Sequence, residues 1–176
     1  MMDGFNRGKW FWIGERILFV GLTDQFLEEY KEEGKRSVIS SAPTYHTLLD
    51  ADNAKTHHMA DWLDQNVSGF GNIKVETNSL QSYLDTTDTI FDEIYIDGIF
   101  DKWKYDGRQY DFLFTMVESC LKRVNGNVYV RLNLLDQEPG YNIHYLVTHF
   151  LNTYRHIDIE KVSDTCYIFT FVALLH

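Results

Sequence analysis

The chain has 176 residues, 44% hydrophobic and 15% aromatic, which suits a single domain with a substantial core. Its 26 acidic and 16 basic residues give a formal charge of −10, which argues against a broad nucleic-acid footprint but leaves room for a local basic groove. The apolar run Trp10 to Leu22 is broken by Gly14, Glu15 and Arg16, too short and too charged for a membrane span, and shows no secretory cleavage pattern. Cys120 and Cys166 sit in apolar-patterned segments and read as buried thiols, so the expectation is a reduced, cytoplasmic protein.

Residues 1–15 read as an N-terminal arm of the single domain 1–176, with an aromatic patch at Trp10 to Ile13 that packs over the sheet or stacks on bases. Arg16 to Gly21 is the first strand. A helix follows from Asp24 to Lys35, with Phe26, Leu27 and Tyr30 on its apolar face. Strand, glycine, helix is the arrangement of a cofactor site, because a helix N-terminus offers unpaired N–H groups, but no G-x-G-x-x-G is present. Arg36 to Ser41 is expected as the second strand, ending in Ser40-Ser41 where dinucleotide and adenosine sites often carry an acid. His46 to Asn66 is expected as a broad helical region. Its His57-His58 pair points to different faces and reads as surface histidines, so no metal site is expected.

Ile73 to Glu76 is the third strand, followed by Thr77-Asn78 and a short helix from Ser79 to Leu84. Glu93 to Ile96 is the fourth, apolar on both faces as in a covered central strand, with Asp97-Gly98 at its end. Open α/β sheets place ligands at that edge, where a carboxylate can orient a substrate or take a proton; a plain Asp-Gly turn is the alternative. Asp111 to Arg123 is an amphipathic helix, and Val128 to Leu132 a fifth strand with Arg131 near its end. Ile143 to Tyr154 is a further helix, and Ile157 to Val162 and Thr165 to Leu175 form a closing hairpin across Ser163-Asp164. Strands alternating with helices predict a mainly parallel sheet covered on both faces, with one antiparallel strand at its C-terminal end.

This order of elements resembles the Rossmann-like fold of S-adenosylmethionine-dependent methyltransferases from Arg16 to Leu175. More narrowly it is similar to the viral RNA cap ribose 2′-O-methyltransferases and their ribosomal RNA relatives. Three segments carry the resemblance: Phe91 to Gly98, Val124 to Arg131 and Val162 to Phe169. It implies a lysine–aspartate–lysine–glutamate tetrad in which Asp97 matches the aspartate, Arg131 stands at the second lysine, Asp164 (or Glu160) falls at the glutamate and Lys9 serves as the first lysine. Arginine stays protonated, so Arg131 could orient a group or stabilise charge but not take a proton; an ion pair with Asp97 or Asp164 is its bland alternative. On the cofactor side the resemblance implies S-adenosylmethionine contacts at Gly21, Leu22, Ser41, Asn78, Asp97 and Gly98. The glycine-rich loop is reduced to Gly21-Leu22-Thr23, Ser40-Ser41 replaces the ribose-binding acid, and Thr77-Asn78 replaces the adenine-side acid unless Glu76 serves.

Two functions stay open. One is an RNA methyltransferase using S-adenosylmethionine and holding RNA in a local groove. The other is a degenerate methyltransferase-fold module that binds a protein partner, with Trp10-Phe11-Trp12 as a candidate partner surface. A phosphate site at Gly21 to Asp24 is disfavoured by Asp24, Glu28 and Glu29, which repel an anion.

Overall fold

A computed structural model describes residues 5–6, 9–10, 16–35, 45–66, 73–97, 107–133 and 143–173. Seven strands form one sheet: β1 (Arg16–Val20), β2 (Tyr45–Asp50), β3 (Ile73–Thr77), β4 (Glu93–Asp97), β5 (Asn127–Asn133), β6 (Ile157–Ser163) and β7 (Cys166–Val172). Their order across the sheet is 3-2-1-4-5-7-6. All neighbours are parallel except β7, which runs antiparallel to both β5 and β6, the single reversed strand expected. A two-residue ladder pairs Phe5–Asn6 with Lys9–Trp10, inside the predicted arm.

Five helices lie between the strands in the described residues: α1 (Asp24–Lys35), α2 (Asn53–Asn66), α3 (Leu80–Thr86), α4 (Gly107–Leu121) and α5 (Ile143–Thr153). The sheet has a separate core on each face. Ile17, Phe19, Leu48, Tyr95 and Tyr129 meet Phe26 and Tyr30 of α1 and Met59 of α2. Leu18, Val20, Ile94, Val128 and Val130 meet Leu84 of α3, Met116 and Cys120 of α4 and Phe150 of α5. Burying each such side chain contributes about 1.5–3 kcal/mol, so the central strands are the most firmly held. Cys120 is buried and Cys166 half-buried, neither in a disulfide.

One strand differs from expectation. The predicted strand Arg36 to Ser41 lies outside the described residues, and the strand beside β1 is Tyr45–Asp50, the start of the predicted helical region. His46 to Leu49 are all buried, so both faces of β2 are covered and no polar alternation marks it as a strand. The helix begins only after Asp52, whose side chain accepts from Ala54 N (2.9 Å) and whose carbonyl accepts from Thr56 N (3.2 Å). The remaining strands fall within two residues of expectation except β7, which ends at Val172 instead of Leu175, and α4 starts four residues early.

Close packing fixes two glycines. A Cβ on Gly126 would lie 2.5 Å from the Asp92 carbonyl oxygen. Gly21 has φ +89°, and a Cβ there would lie 1.7 Å from the Asp97 carbonyl oxygen.

Candidate functional site

Strand order reverses between β1 and β4, since β1 continues to β2 on one side while β4 continues to β5 on the other. In open α/β sheets the crevice beyond the carboxyl ends of such strands is the ligand site. Here those ends carry Gly21-Leu22-Thr23, Asp50, Asn78, Asp97 and Arg131.

The two-residue period of parallel β4 and β5 builds the centre of this edge. Tyr95 lies opposite Tyr129 and Asp97 opposite Arg131, so one face shows a stacked aromatic pair (centroids 4.7 Å apart) and then a charged pair. Phe19 of β1 extends the aromatic row at 5.3 Å from Tyr95. Helix α1 lies over that row through Phe26 and Tyr30, and Glu29, one turn beyond Phe26, reaches Arg131.

The guanidinium is held from both sides. Arg131 Nε donates to Asp97 Oδ1 (3.1 Å) and Nη2 to Oδ2 (2.6 Å), while Nη1 donates to both Glu29 oxygens (2.9 and 3.2 Å). Thr23 Oγ1 donates to Asp97 Oδ2 (2.7 Å) and accepts from Phe26 N (3.1 Å), so it caps α1 while fixing the carboxylate. The Arg131 and Asp97 side chains are only 1% and 5% exposed, so this network is essentially dry. Burial pulls the Arg131 pKa down, but the hydrogen bond and charge of Asp97, with the charge of Glu29, outweigh it and hold the group above its ordinary value. Burial raises Glu29, and Arg131 offsets part of that. Arg131 is therefore a permanent cation, and Asp97 already accepts three hydrogen bonds.

Beside this lies a second carboxylate. Asp50, half-buried at the end of β2, accepts from Leu22 N at Oδ2 (2.7 Å) and from Asp52 N at Oδ1 (2.8 Å), while Gly21 N donates to the Leu49 carbonyl (2.9 Å). An acid, Asp50, thus ends the strand beside β1, whereas Ser40-Ser41 lie outside the described residues. A carboxylate has about four lone-pair sites, so Asp50 keeps roughly two for a ligand hydroxyl. Asn78 follows β3, donates its N–H to the Asp50 carbonyl (3.0 Å) and accepts from Ser79 N at Oδ1 (2.9 Å).

The other predicted site residues divide. Asp164 occupies the two-residue loop between β6 and β7, at the same sheet end but with β5 and β7 between it and β4, at least roughly 10 Å from Asp97. It is 97% exposed and paired to Lys161 at 3.3 Å, so the structure does not bring it to Asp97. Glu160 lies on β6, at the far edge of the sheet. Lys9 belongs to the short ladder that runs alongside α1, and its side chain lies outside the described residues, as do Ser41, Gly98 and the Phe11-Trp12 part of the aromatic patch. His57 and His58 are exposed, His57 lying 3.9 Å from Asp61 and His58 3.0 Å from Lys31. Among the described residues there is no cluster of metal-ligating side chains and no helix long and apolar enough to cross a membrane.

Sheet order, reversed strand and two-faced cover define a Rossmann-like α/β protein with the methyltransferase fold. Three solved structures illustrate the likeness. A magnesium protoporphyrin IX methyltransferase from Synechocystis PCC 6803 with bound SAM matches with a TM-score of 0.58 at 7% identity, over 92% of this chain and 71% of that one. An rRNA methylase from Streptococcus thermophilus matches at 0.57 and 9% identity, over 92% and 88%. M. capricolum TrmK in complex with S-adenosyl-homocysteine matches at 0.56 and 9% identity, over 90% and 62%. No protein-family model and no curated protein matches the chain in sequence.

Proposed function

We propose that this chain is a methyltransferase that takes S-adenosylmethionine into the crevice between β1 and β4. The observation that carries the reading is Asp50 at the end of β2, tied to the Gly21-Leu22 turn where a ribose-holding acid belongs. Charge supports it as well. Asp50, Asp52, Asp97 and Glu29 stand at this edge with Arg131 among them, an acidic balance that suits a cationic sulfonium and disfavours a phosphate. Asp50 would hold the ribose hydroxyls, the Gly21 to Thr23 turn would pass beneath the amino-acid end, and Asn78 would face the base. The cofactor supplies an electrophilic methyl group.

On the acceptor side the proposal follows the resemblance to RNA ribose 2′-O-methyltransferases, with a changed role for its residues. Arg131 and Asp97 act as a fixed charge pair that orients an acceptor, because Arg131 stays protonated and the Asp97 carboxylate is held by three hydrogen bonds. Lys9 and Asp164 remain candidate acceptor contacts from the arm and the β6–β7 loop. Asp97, with three of its roughly four lone-pair sites already engaged, favours the second reading, a protein-binding module that keeps the fold without the reaction.

Calorimetric titration with S-adenosylmethionine and S-adenosylhomocysteine separates them. Micromolar binding, weakened at least about tenfold by Asp50→Asn with an unchanged unfolding midpoint, is the expected result. Absence of binding by the folded parent protein would leave the module as the function.

A further inference from the structure

The opposite edge of the sheet, where the parallel strands begin, holds a cavity of about 210 Å³. It is lined by Arg16 at the start of β1, Tyr45, His46 and Thr47 of β2, Lys74 of β3, Tyr83 of α3, and Thr89 and Phe91 before β4. The cofactor crevice lies at the other ends of these strands, so the two sites are separate.

Its lining runs against the composition of the chain. In a protein with 26 acids and 16 bases the described residues of the cavity wall include two cations and no carboxylate. Among the described residues neither cation has an acidic partner. The Arg16 side chain lies over the Tyr45 ring, its guanidinium carbon 5.5 Å from the centroid, and the carboxylate of nearby Asp92 instead accepts from the Arg16 backbone N (2.8 Å). Lys74 is exposed, and His46 adds no charge, since burial holds its imidazole down at about 3. The remaining wall is aromatic and hydroxyl-bearing. Tyr83 and Phe91 lie 6.5 Å apart with their planes tilted by 38°, and Thr47 and Thr89 complete the lining.

Size limits the occupant. An apolar cavity of roughly 150 Å³ holds benzene, so this volume suits one ring with a small substituent. A pocket that combines aromatic surface with a few convergent polar groups is the usual form of a small-molecule site.

We propose that this cavity binds a small anion carrying a single aromatic ring, with its acid group toward Arg16 and Lys74 and its ring against Tyr83, which Phe91 backs from the core. Inorganic anions lack the ring contacts, and neutral aromatics lack the charge. The site does not depend on the cofactor reading, because none of its residues belongs to the crevice.

The test is a titration of the isotopically labelled protein with benzoate, benzamide and inorganic phosphate, followed through the backbone amide signals of Thr47, Tyr83 and Phe91. Saturable shifts with benzoate, weaker by about tenfold in Lys74→Gln and in Arg16→Gln but unchanged in Lys161→Gln, are expected. Both cations are exposed, so these variants keep the fold, and the parent amide spectrum checks that directly. The proposal is overturned if benzoate gives no saturable shift, if benzamide or phosphate binds as tightly, or if both variants bind as the parent does.

Discussion

Replacing Arg131 with methionine removes the positive centre of a dry network and leaves two carboxylates facing each other. Arg131 makes four charge-assisted contacts, two to Asp97 and two to Glu29, with its side chain 1% exposed. Breaking a buried pair by deleting one partner costs about 3–5 kcal/mol, mostly because the remaining charge is buried alone. For a domain of this length that lowers the melting temperature by roughly 6–20 °C. The sign with pH follows. In Arg131→Met, Glu29 loses the guanidinium that offsets its burial, so its folded pKa rises further above the unfolded one of about 4. The folded variant then binds more protons, keeps its stability below about pH 4 and loses it as pH rises. The gap to the parent protein should therefore widen from about pH 4 to pH 7 in urea unfolding experiments. Neutralising the partners as well, in Arg131→Met with Asp97→Asn and Glu29→Gln, should recover all but about 1–2 kcal/mol. A single variant within about 1 kcal/mol of the parent, or a triple variant no more stable than the single, would refute the clamp.

Two further substitutions probe neighbouring features. Thr23→Val keeps the shape but removes both the α1 cap and a bond to Asp97, and should cost about 1–2 kcal/mol by chemical denaturation, with Thr23→Ser recovering most of it. Glu93, at the start of β4, has its carboxyl pushed up to about 7 by burial, against the backbone hydrogen bond from Asn127. An acid raised in the folded state stabilises below its unfolded pKa and loses that contribution as pH rises through the folded value. Glu93→Gln should thus match the parent near pH 4 and exceed it by about 1–2 kcal/mol above pH 7, allowing for screening at the sheet edge. Parallel thermal melts at the two pH values would show it, and an equal shift at both would rule out titration as the cause.

How far the sequence discloses this protein depends on burial. β1, β4 and β5 are recognisable because β-branched and aromatic residues end at turn or charge signals. β2 is equally buried, but His46 to Leu49 run into the helix that begins at Asn53 with no glycine or proline between. Without a break a covered strand and a buried helical turn look alike, and the displaced strand took Asp50 out of view. Asp97 and Arg131 were legible as a pair because Asp97 ends its strand and Arg131 stands near the end of the next. Glu29 was not, since it lies 102 residues before Arg131 and its only mark is an acid one turn from Phe26. Asp164 shows the opposite limit: it sits at the matching end of the sheet, but a hairpin tip carries its side chain out to water and to Lys161.

Among the described residues the outermost strands, β3 and β6, each have one side without a strand partner. Lys74 and Glu76 punctuate β3, and Asp158, Glu160 and Lys161 punctuate β6, which also slips register between Lys161 and Ser163. An eighth strand from another molecule would have to desolvate those charges and follow a bent template. Among the described residues both borders are thus guarded by charge and, at β6, by shape, which disfavours edge-to-edge pairing between copies.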